Sequence, residues 1–343
     1  ASLYTLKKDS ADGRFLMWKI TTKAIQKQPI TGTSLGGFPA AYAETQAEYM
    51  ASGKATEQEK LVAGCPEYAF NEYLQIGLEQ GLVGLALFIG WLGLLFYKGI
   101  KNKRYACCGG LMSLAIFAFS SYPLQLPEFW VVLIFLGVMS VTPDKDEIRE
   151  NQAESNGHRW GKQIFFMGIA ILGIGLFWMQ KDHYKAYQQW NKAQMFYNNK
   201  AYEAALEVYE PLYPLLKHKP EFLFEAAQSL SKTGQYEKAN EYLERAVLLS
   251  SDPMLYYVMA KNEQCLGEYR QAEKHLLHAI DILPERIYPY YLLMNLYTEP
   301  SYFQPAKLKM AIDSVLTKKP KVESSAIKEM KEKARSMLNN TSI

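Results

Sequence analysis

The stretch AQSLSKTGQYEKANEYLERAVLL, residues 227–249, returns 33 residues later as AKNEQCLGEYRQAEKHLLHAIDI, residues 260–282. Small, apolar and turn-forming residues keep their positions in the two copies. The matched pairs are Ala227 and Ala260, Gly234 and Gly267, Tyr236 and Tyr269, Ala239 and Ala272, Leu243 and Leu276, Ala246 and Ala279, and Leu249 and Ile282. A fixed period of this length predicts a repeat protein, in which each unit buries its apolar face against the next.

Two further copies flank this pair. The earlier copy keeps Ala193, Tyr202 and Ala205, and the later copy keeps Phe303, Ala306 and Met310. Alanine where the two helices of a hairpin touch, and tyrosine after a glycine turn, resemble the tetratricopeptide repeat. Four copies exceed the roughly three that a stable stack requires, and residues 325–338 are expected to form a polar capping helix. This resemblance implies an α-solenoid over residues 181–343 that binds a protein partner.

Apolar residues concentrate in the middle of the chain. Four apolar stretches, at about 76–97, 105–122, 128–141 and 163–180, predict about four transmembrane helices within residues 76–180. The predicted fold class is therefore all-α, with polytopic membrane helices and an α-solenoid. The net charge of +3 and the lack of a basic stripe interleaved with aromatics exclude nucleic acid as a partner.

The loop charges predict the orientation in the membrane. Lys98, Lys101, Lys103 and Arg104 follow the first apolar stretch without an acidic residue, whereas residues 122–128 hold no basic residue. The positive-inside bias places residues 98–104 in the cytoplasm, and alternation then places residues 1–75 and 181–343 outside. The sequence thus predicts a loop domain and a repeat domain on the same side of the membrane.

Three motifs lie before and at the start of the first apolar stretch. Arg14 is the single arginine of the first 103 residues, residues 29–38 read PITGTSLGGF, and residues 70–84 read FNEYLQIGLEQGLVG. Together they resemble the O-antigen ligase and polymerase family over about residues 13–97. Members are bacterial inner-membrane enzymes that move a glycan from undecaprenyl pyrophosphate to a lipid, polysaccharide or protein acceptor. Ligases of this family usually carry histidine at the position of Phe70.

The resemblance implies a periplasmic active-site loop at residues 1–75 and glycosyl transfer without metal or other cofactor. Arg14 would neutralise the pyrophosphate leaving group, because a guanidinium matches phosphate oxygens with two parallel hydrogen bonds. Asn71 would bind a phosphate or sugar, and Glu72 or Glu79 would orient the acceptor hydroxyl. The remaining substrate-binding candidates are Phe70, which could stack on a sugar, and Gly36 and Gly37, whose amides could approach an anion. The chain opens without methionine, so a further upstream part of the membrane domain is expected.

Each candidate also has a structural interpretation. Arg14 could lie on a solvated helix face, Asn71 could serve as a helix N-cap, and Glu79 could hold neighbouring helices together. The alternative function is a non-catalytic, membrane-anchored scaffold whose repeats gather envelope-biogenesis proteins, an interpretation that Phe70 favours. A transporter is disfavoured because no inverted repeat is visible. His275 and His278 are spaced for metal ligation, but no third ligand accompanies them.

Overall fold

The computed structural model describes residues 3–143, 159–320 and 322–340, and the regular elements in these ranges are all helices. The prediction of an all-α fold is confirmed. The chain divides into two compact units. The first unit, called the repeat unit, comprises Ala1–Lys27, Leu35–Glu67 and Trp190–Ile343. The second, called the apolar unit, comprises Gln28–Ser34 and Tyr68–Gln189.

The repeat unit is built from helix hairpins that follow the sequence period. The helices after residue 180 are α9 (Lys181–Asn198), α10 (Tyr202–Leu216), α11 (Pro220–Lys232), α12 (Tyr236–Val247), α13 (Met254–Leu266), α14 (Tyr269–Ile282), α15 (Ile287–Tyr297), α16 (Pro305–Thr317) and α17 (Ser325–Asn340). Gly234 and Gly267 adopt φ angles of +80° and +79° between the paired helices, a backbone conformation that glycine adopts without a steric penalty. The repeated alanines, among them Ala227 and Ala260, are buried where the helices touch. The hairpin prediction is therefore correct in its turns and its contact positions.

Three N-terminal helices join this unit: α1 (Leu3–Lys27), α2 (Phe38–Ala51) and α3 (Glu57–Val62). α2 packs on α1 and on α14 of the repeats. The buried side chain of Gln46 lies at this contact, where its Nε2 donates to the backbone oxygens of Gly64 at 3.0 Å and Ile282 at 2.8 Å. Its Oε1 accepts a hydrogen bond from Tyr42 at 2.7 Å, so the buried amide is satisfied on both sides.

The apolar unit contains α4 (Glu72–Glu79), α5 (Gly81–Lys101), α6 (Tyr105–Ser120), α7 (Pro127–Val141) and α8 (Arg159–Met179). Of the described helices, α5 alone is both long and apolar enough to cross a membrane, while α6 and α7 are apolar but shorter. The predicted span at 163–180 falls on α8, whose first side chains lie outside the described residues. The predicted stretch at about 76–97 covers the end of α4 and most of α5, and the helix breaks within it at Gln80 and Gly81, where Gly81 has φ +70°.

Candidate functional site

Asn71 begins α4. Its backbone is extended, and its buried side-chain oxygen accepts a hydrogen bond from the Leu74 amide at 3.1 Å. This bond satisfies one of the amides that a helix N-terminus leaves without a partner. The N-cap interpretation of Asn71 is confirmed, and its side-chain oxygen is already engaged.

Glu72, Gln75 and Glu79 form a buried polar stripe along one face of α4. The Glu72 carboxylate accepts hydrogen bonds from the Leu124 amide at 2.6 Å and from Gln125 Nε2 at 3.4 Å. Gln75 Nε2 donates to Glu79 Oε1 at 2.8 Å, and Gln75 Oε1 accepts from the Ala69 amide at 2.8 Å. The two predicted acceptor-orienting carboxylates therefore lie on one face of α4, each with its own hydrogen-bond partners.

The electrostatics of this stripe favour a carboxyl group that can hold a proton. Burial raises the pKa of Glu72, and the neighbouring charge of Glu79 raises it further, although the hydrogen bonds from Leu124 and Gln125 oppose the shift. A raised pKa makes a carboxyl group a better proton acceptor than an ordinary carboxylate, which is what general base chemistry requires. Glu72 is therefore a candidate proton acceptor.

Phe70 precedes this stripe in a strained conformation. Its φ is +49°, a value that aspartate, asparagine and histidine adopt more readily than phenylalanine. Its ring packs edge-on against Tyr122 with centroids 4.8 Å apart, and Tyr68 stacks on the same tyrosine at 5.3 Å. Tyr68, Phe70 and Tyr122 thus form an aromatic cluster. Phe70 is its member at the position where ligases of the resembled family usually carry histidine.

The turn Gln28–Ser34 is fastened to the break between α4 and α5. The amides of Thr33 and Ser34 donate to the backbone oxygens of Leu78 and Glu79, both at 2.9 Å, and the Leu82 amide donates to the Pro29 oxygen at 2.8 Å. These bonds satisfy carbonyl groups at the end of α4 and an amide at the start of α5.

Two glycines permit this approach. A Cβ on Gly32 would lie 2.5 Å from the Glu79 backbone, and one on Gly81 would lie 2.0 Å from the Ile30 oxygen. The sequence instead predicted Gly36 and Gly37 as the glycines whose amides could approach an anion. Gly36 has open space around its Cβ position, and Gly37 caps α2 with an ordinary helical φ of −80°.

The predicted site residues are divided between the two units. Phe70, Asn71, Glu72 and Glu79 belong to the apolar unit, whereas Arg14, Gly36 and Gly37 belong to the repeat unit. Arg14 is exposed on α1, one residue after Gly13. The structure thus brings together the α4 residues, and the role of Arg14 stays a prediction.

The repeat unit holds a cavity of about 990 Å³ at the N-terminal ends of α11, α13 and α15. Its charged lining includes Glu67, Glu221, Asp252 and Arg286. Aromatic side chains of Phe224, Tyr257 and Tyr288 complete the lining. The cavity is therefore acidic on balance, with apolar rings that a peptide side chain could contact.

The histidine pair engages carboxylates. His275 Nδ1 lies 2.9 Å from Glu263 Oε1, and His278 Nε2 lies 3.5 Å from Glu44 Oε2 of α2. Across the described residues, no group of three or more potential metal ligands comes together.

Two segments of the chain match family models. Residues 3–89 match the family model described as O-Antigen ligase, which confirms the predicted resemblance. That range contains every predicted site residue. Residues 198–279 match the family model described as Anaphase-promoting complex, cyclosome, subunit 3. No curated protein matches the chain.

Several solved structures are similar to this chain at low identity. MamA shares 17% identity over 45% of this chain and 88% of its own, with a TM-score of 0.37. The chaperone SycD of Yersinia enterocolitica, in complex with a peptide of the translocator YopD, shares 19% identity over 36% and 90%, with a TM-score of 0.30. The TPR-like repeats of a kinesin light chain from Podosopora anserina share 17% identity over 46% and 88%, with a TM-score of 0.36. The repeat architecture itself rests on the hairpins described above.

Proposed function

We propose that this protein is a membrane glycosyltransferase that moves a glycan from undecaprenyl pyrophosphate to an acceptor. The observation that carries the proposal is the match of residues 3–89 to the O-antigen ligase family, with two buried carboxylates on α4 inside that range. In the reaction, an acceptor hydroxyl attacks the anomeric carbon, and the bond from that carbon to the pyrophosphate oxygen breaks. The hydroxyl proton passes to a carboxylate, and the pyrophosphate leaves with its negative charge.

The residues divide these tasks. Glu79, a buried carboxylate within the matched range, takes the hydroxyl proton, because Glu72 already holds the loop before α7 through Leu124 and Gln125. Arg14 neutralises the departing pyrophosphate. Phe70 and its aromatic cluster offer a ring face to a sugar, while Asn71 and the glycines Gly36 and Gly37 shape the substrate-binding backbone.

The protein is a multi-pass protein of the bacterial inner membrane, with the repeat unit in the periplasm. The packing inside the repeat unit supports this arrangement. Gln46, which lies before α5 in the chain, bonds to Ile282, which lies after α8, so these segments share one side of the membrane. With α5 as a span, this contact supports an even number of crossings between the two segments, and hence at least one span besides α5. Lys98 and Lys101 in the last turn of α5 mark the cytoplasmic end.

The cavity of the repeat unit binds a protein partner or a polypeptide acceptor. Its acidic balance favours a segment that carries lysine or arginine, and its rings add apolar contact. The charge reversal Glu221→Lys should lower recovery of the partner, whereas Glu237→Lys, at an exposed position of α12 outside the cavity, should not. Deletion of the repeats is a poor test, because α2 would lose its packing on α14. Equal recovery of the same proteins by both variants would refute the partner role.

Arg14→Lys tests the enzymatic proposal, because an ammonium cannot reproduce the two parallel hydrogen bonds of a guanidinium. Purified protein in liposomes, given a lipid-linked glycan and an acceptor, should lose transfer by at least about tenfold, equivalent to about 1.4 kcal/mol. Lys8→Arg on the same helix is the matched control and should transfer normally. Undiminished transfer by Arg14→Lys would remove Arg14 from the mechanism.

The scaffold function remains the second candidate. Two observations favour it. Asn71 caps α4 and Glu72 binds the Leu124 amide in the loop before α7, so both side chains already have structural roles. Phe70 also stands in place of histidine. A scaffold predicts that Arg14 and Glu79 variants behave as wild type in every assay of glycan transfer. It also predicts that Glu221→Lys alone produces a phenotype.

A further inference from the structure

The turn Gln28–Ser34 lies level with the first residues of α5. The Leu82 amide donates to the Pro29 oxygen at 2.8 Å, and the Cβ position of Gly81 is 2.0 Å from the Ile30 oxygen. Ile30 is therefore held beside the point where the apolar helix begins. Two further bonds, from the amides of Thr33 and Ser34 to the end of α4, prevent the turn from lifting away.

The apolar side chains of this region are exposed. Ile30 is 67% exposed, and Leu82 and Val83 in the first turn of α5 are also exposed. Leu87, one turn further along α5, is 70% exposed. A single exposed isoleucine on a soluble protein would require no explanation. Here, however, it adjoins a helix that is exposed, apolar and long enough to cross a bilayer.

Several backbone groups of the turn are bonded within the protein. Lipid offers no partner to amide or carbonyl groups, so irregular backbone at membrane depth must be bonded within the protein. In this turn, the Gly32 amide donates to the Gln28 oxygen at 3.2 Å, the Thr33 and Ser34 amides donate to α4, and the Pro29 oxygen accepts from α5. These bonds reduce the cost of placing the turn at membrane depth.

We infer that the turn Gln28–Ser34 is a membrane-embedded segment, with the Ile30 side chain inserted among lipid acyl chains at the outer interface. The inference rests on the proposed membrane span of α5. It adds a second attachment of the ligase-like segment to the bilayer, distinct from the transmembrane helices. The turn is then anchored in lipid at residue 30, beside the first residues of α5. Lipid, rather than a second protein, is the occupant because the exposed apolar surface continues directly onto α5.

Spin-label depth measurements test the inference. The native cysteines Cys65, Cys107, Cys108 and Cys265 are replaced by serine, and a nitroxide is attached to Ile30→Cys, Leu87→Cys or Glu57→Cys. Each labelled protein is reconstituted into vesicles of phosphatidylcholine and phosphatidylglycerol. Power saturation then compares the collision rates of the label with oxygen, which partitions into lipid, and with a water-soluble nickel chelate. Leu87 reports on the span, and Glu57, whose side chain is 86% exposed on polar α3, is the aqueous reference.

The Ile30 label is expected to favour oxygen over the nickel chelate, as the Leu87 label does, by at least about threefold relative to Glu57. If the Ile30 label matches Glu57 while Leu87 favours oxygen, the inference is wrong and the proposed span stands. If Leu87 also matches Glu57, the span is wrong and the inference falls with it.

Because Ile30 is exposed, labelling leaves the core intact, and the thermal unfolding midpoint of each labelled protein checks this. A second measurement uses the fluorescence of Ile30→Trp and its quenching by brominated lipid. The quenching of the native tryptophans, measured in Ile30→Leu, is subtracted, and the remainder shows whether position 30 contacts lipid.

Discussion

Gln46 Nε2 donates a hydrogen bond of 2.8 Å to the backbone oxygen of Ile282, 236 residues later in the chain. The donor lies in the segment that matches the O-antigen ligase family, and the acceptor lies at the end of a repeat helix. The parts of the matched segment within Ala1–Lys27 and Leu35–Glu67 therefore belong to the same compact unit as the repeats. A repeat domain that merely followed a membrane enzyme would have no such buried contact.

Gln46→Ala should destabilise the protein by about 1–3 kcal/mol, because it leaves the oxygens of Gly64 and Ile282 without a donor in a buried site. Thermal unfolding of the purified protein, monitored by circular dichroism, measures the change. Gln26→Ala, at an exposed position of α1, is the matched control and should stay within about 0.5 kcal/mol of wild type. Equal midpoints for the two variants would show that the Gln46 contact contributes no stability.

A pair of alanine substitutions separates backbone strain from steric conflict. Gly32 and Gly36 have φ angles of +69° and +76°, so alanine at either position incurs a cost of roughly 1–2 kcal/mol. Only at Gly32 would the new methyl group also meet backbone atoms, at 2.5 Å. Gly32→Ala should therefore lower the unfolding midpoint clearly more than Gly36→Ala. Similar losses would mean that the turn does not pack on α4 as described.

The sequence predicted those features that depend on local patterns. The period of 33 residues located the hairpins, their glycine turns and the alanines at the helix contacts. It could not reveal the contact of Gln46 with Ile282, because nothing local couples residues so far apart. The need for glycine at position 32 could not be predicted for a related reason. It comes from the close approach of the Glu79 backbone, which only the folded chain brings near.

The candidate site was predicted in part. Asn71 as an N-cap follows from residue type alone, since asparagine is common at helix N-termini. The bond from the Leu124 amide to Glu72 could not be foreseen, because it depends on how the loop before α7 folds back. The left-handed conformation of Phe70 was equally hidden, since phenylalanine gives no signal for a positive φ.

Glu72→Gln should change the pH dependence of stability. Because the pKa of Glu72 is raised by burial, the native state binds this proton more tightly than the unfolded state does. Wild-type stability should then fall as the pH rises above the unfolded-state pKa of about 4.3, and Glu72→Gln should lack this contribution. The variant should gain stability relative to wild type as the pH rises above about 4.3, as measured by unfolding midpoints at each pH. Glu72→Ala, which also loses the bond to Leu124, should be less stable than Glu72→Gln by about 1 kcal/mol. A constant difference between Glu72→Gln and wild type at all pH values would contradict the raised pKa.

Glycan transfer by Glu79→Gln tests the central claim most directly. The substitution keeps an oxygen that can accept the hydrogen bond from Gln75 Nε2, so packing is preserved while the proton acceptor is removed. Glu128→Gln, at an exposed position in the first turn of α7, is the control for loss of one carboxylate. With equal amounts of reconstituted protein, Glu79→Gln should reduce the transfer rate by about 10²-fold or more, whereas Glu128→Gln should match wild type. Full transfer by Glu79→Gln would contradict the proposed glycosyltransferase mechanism.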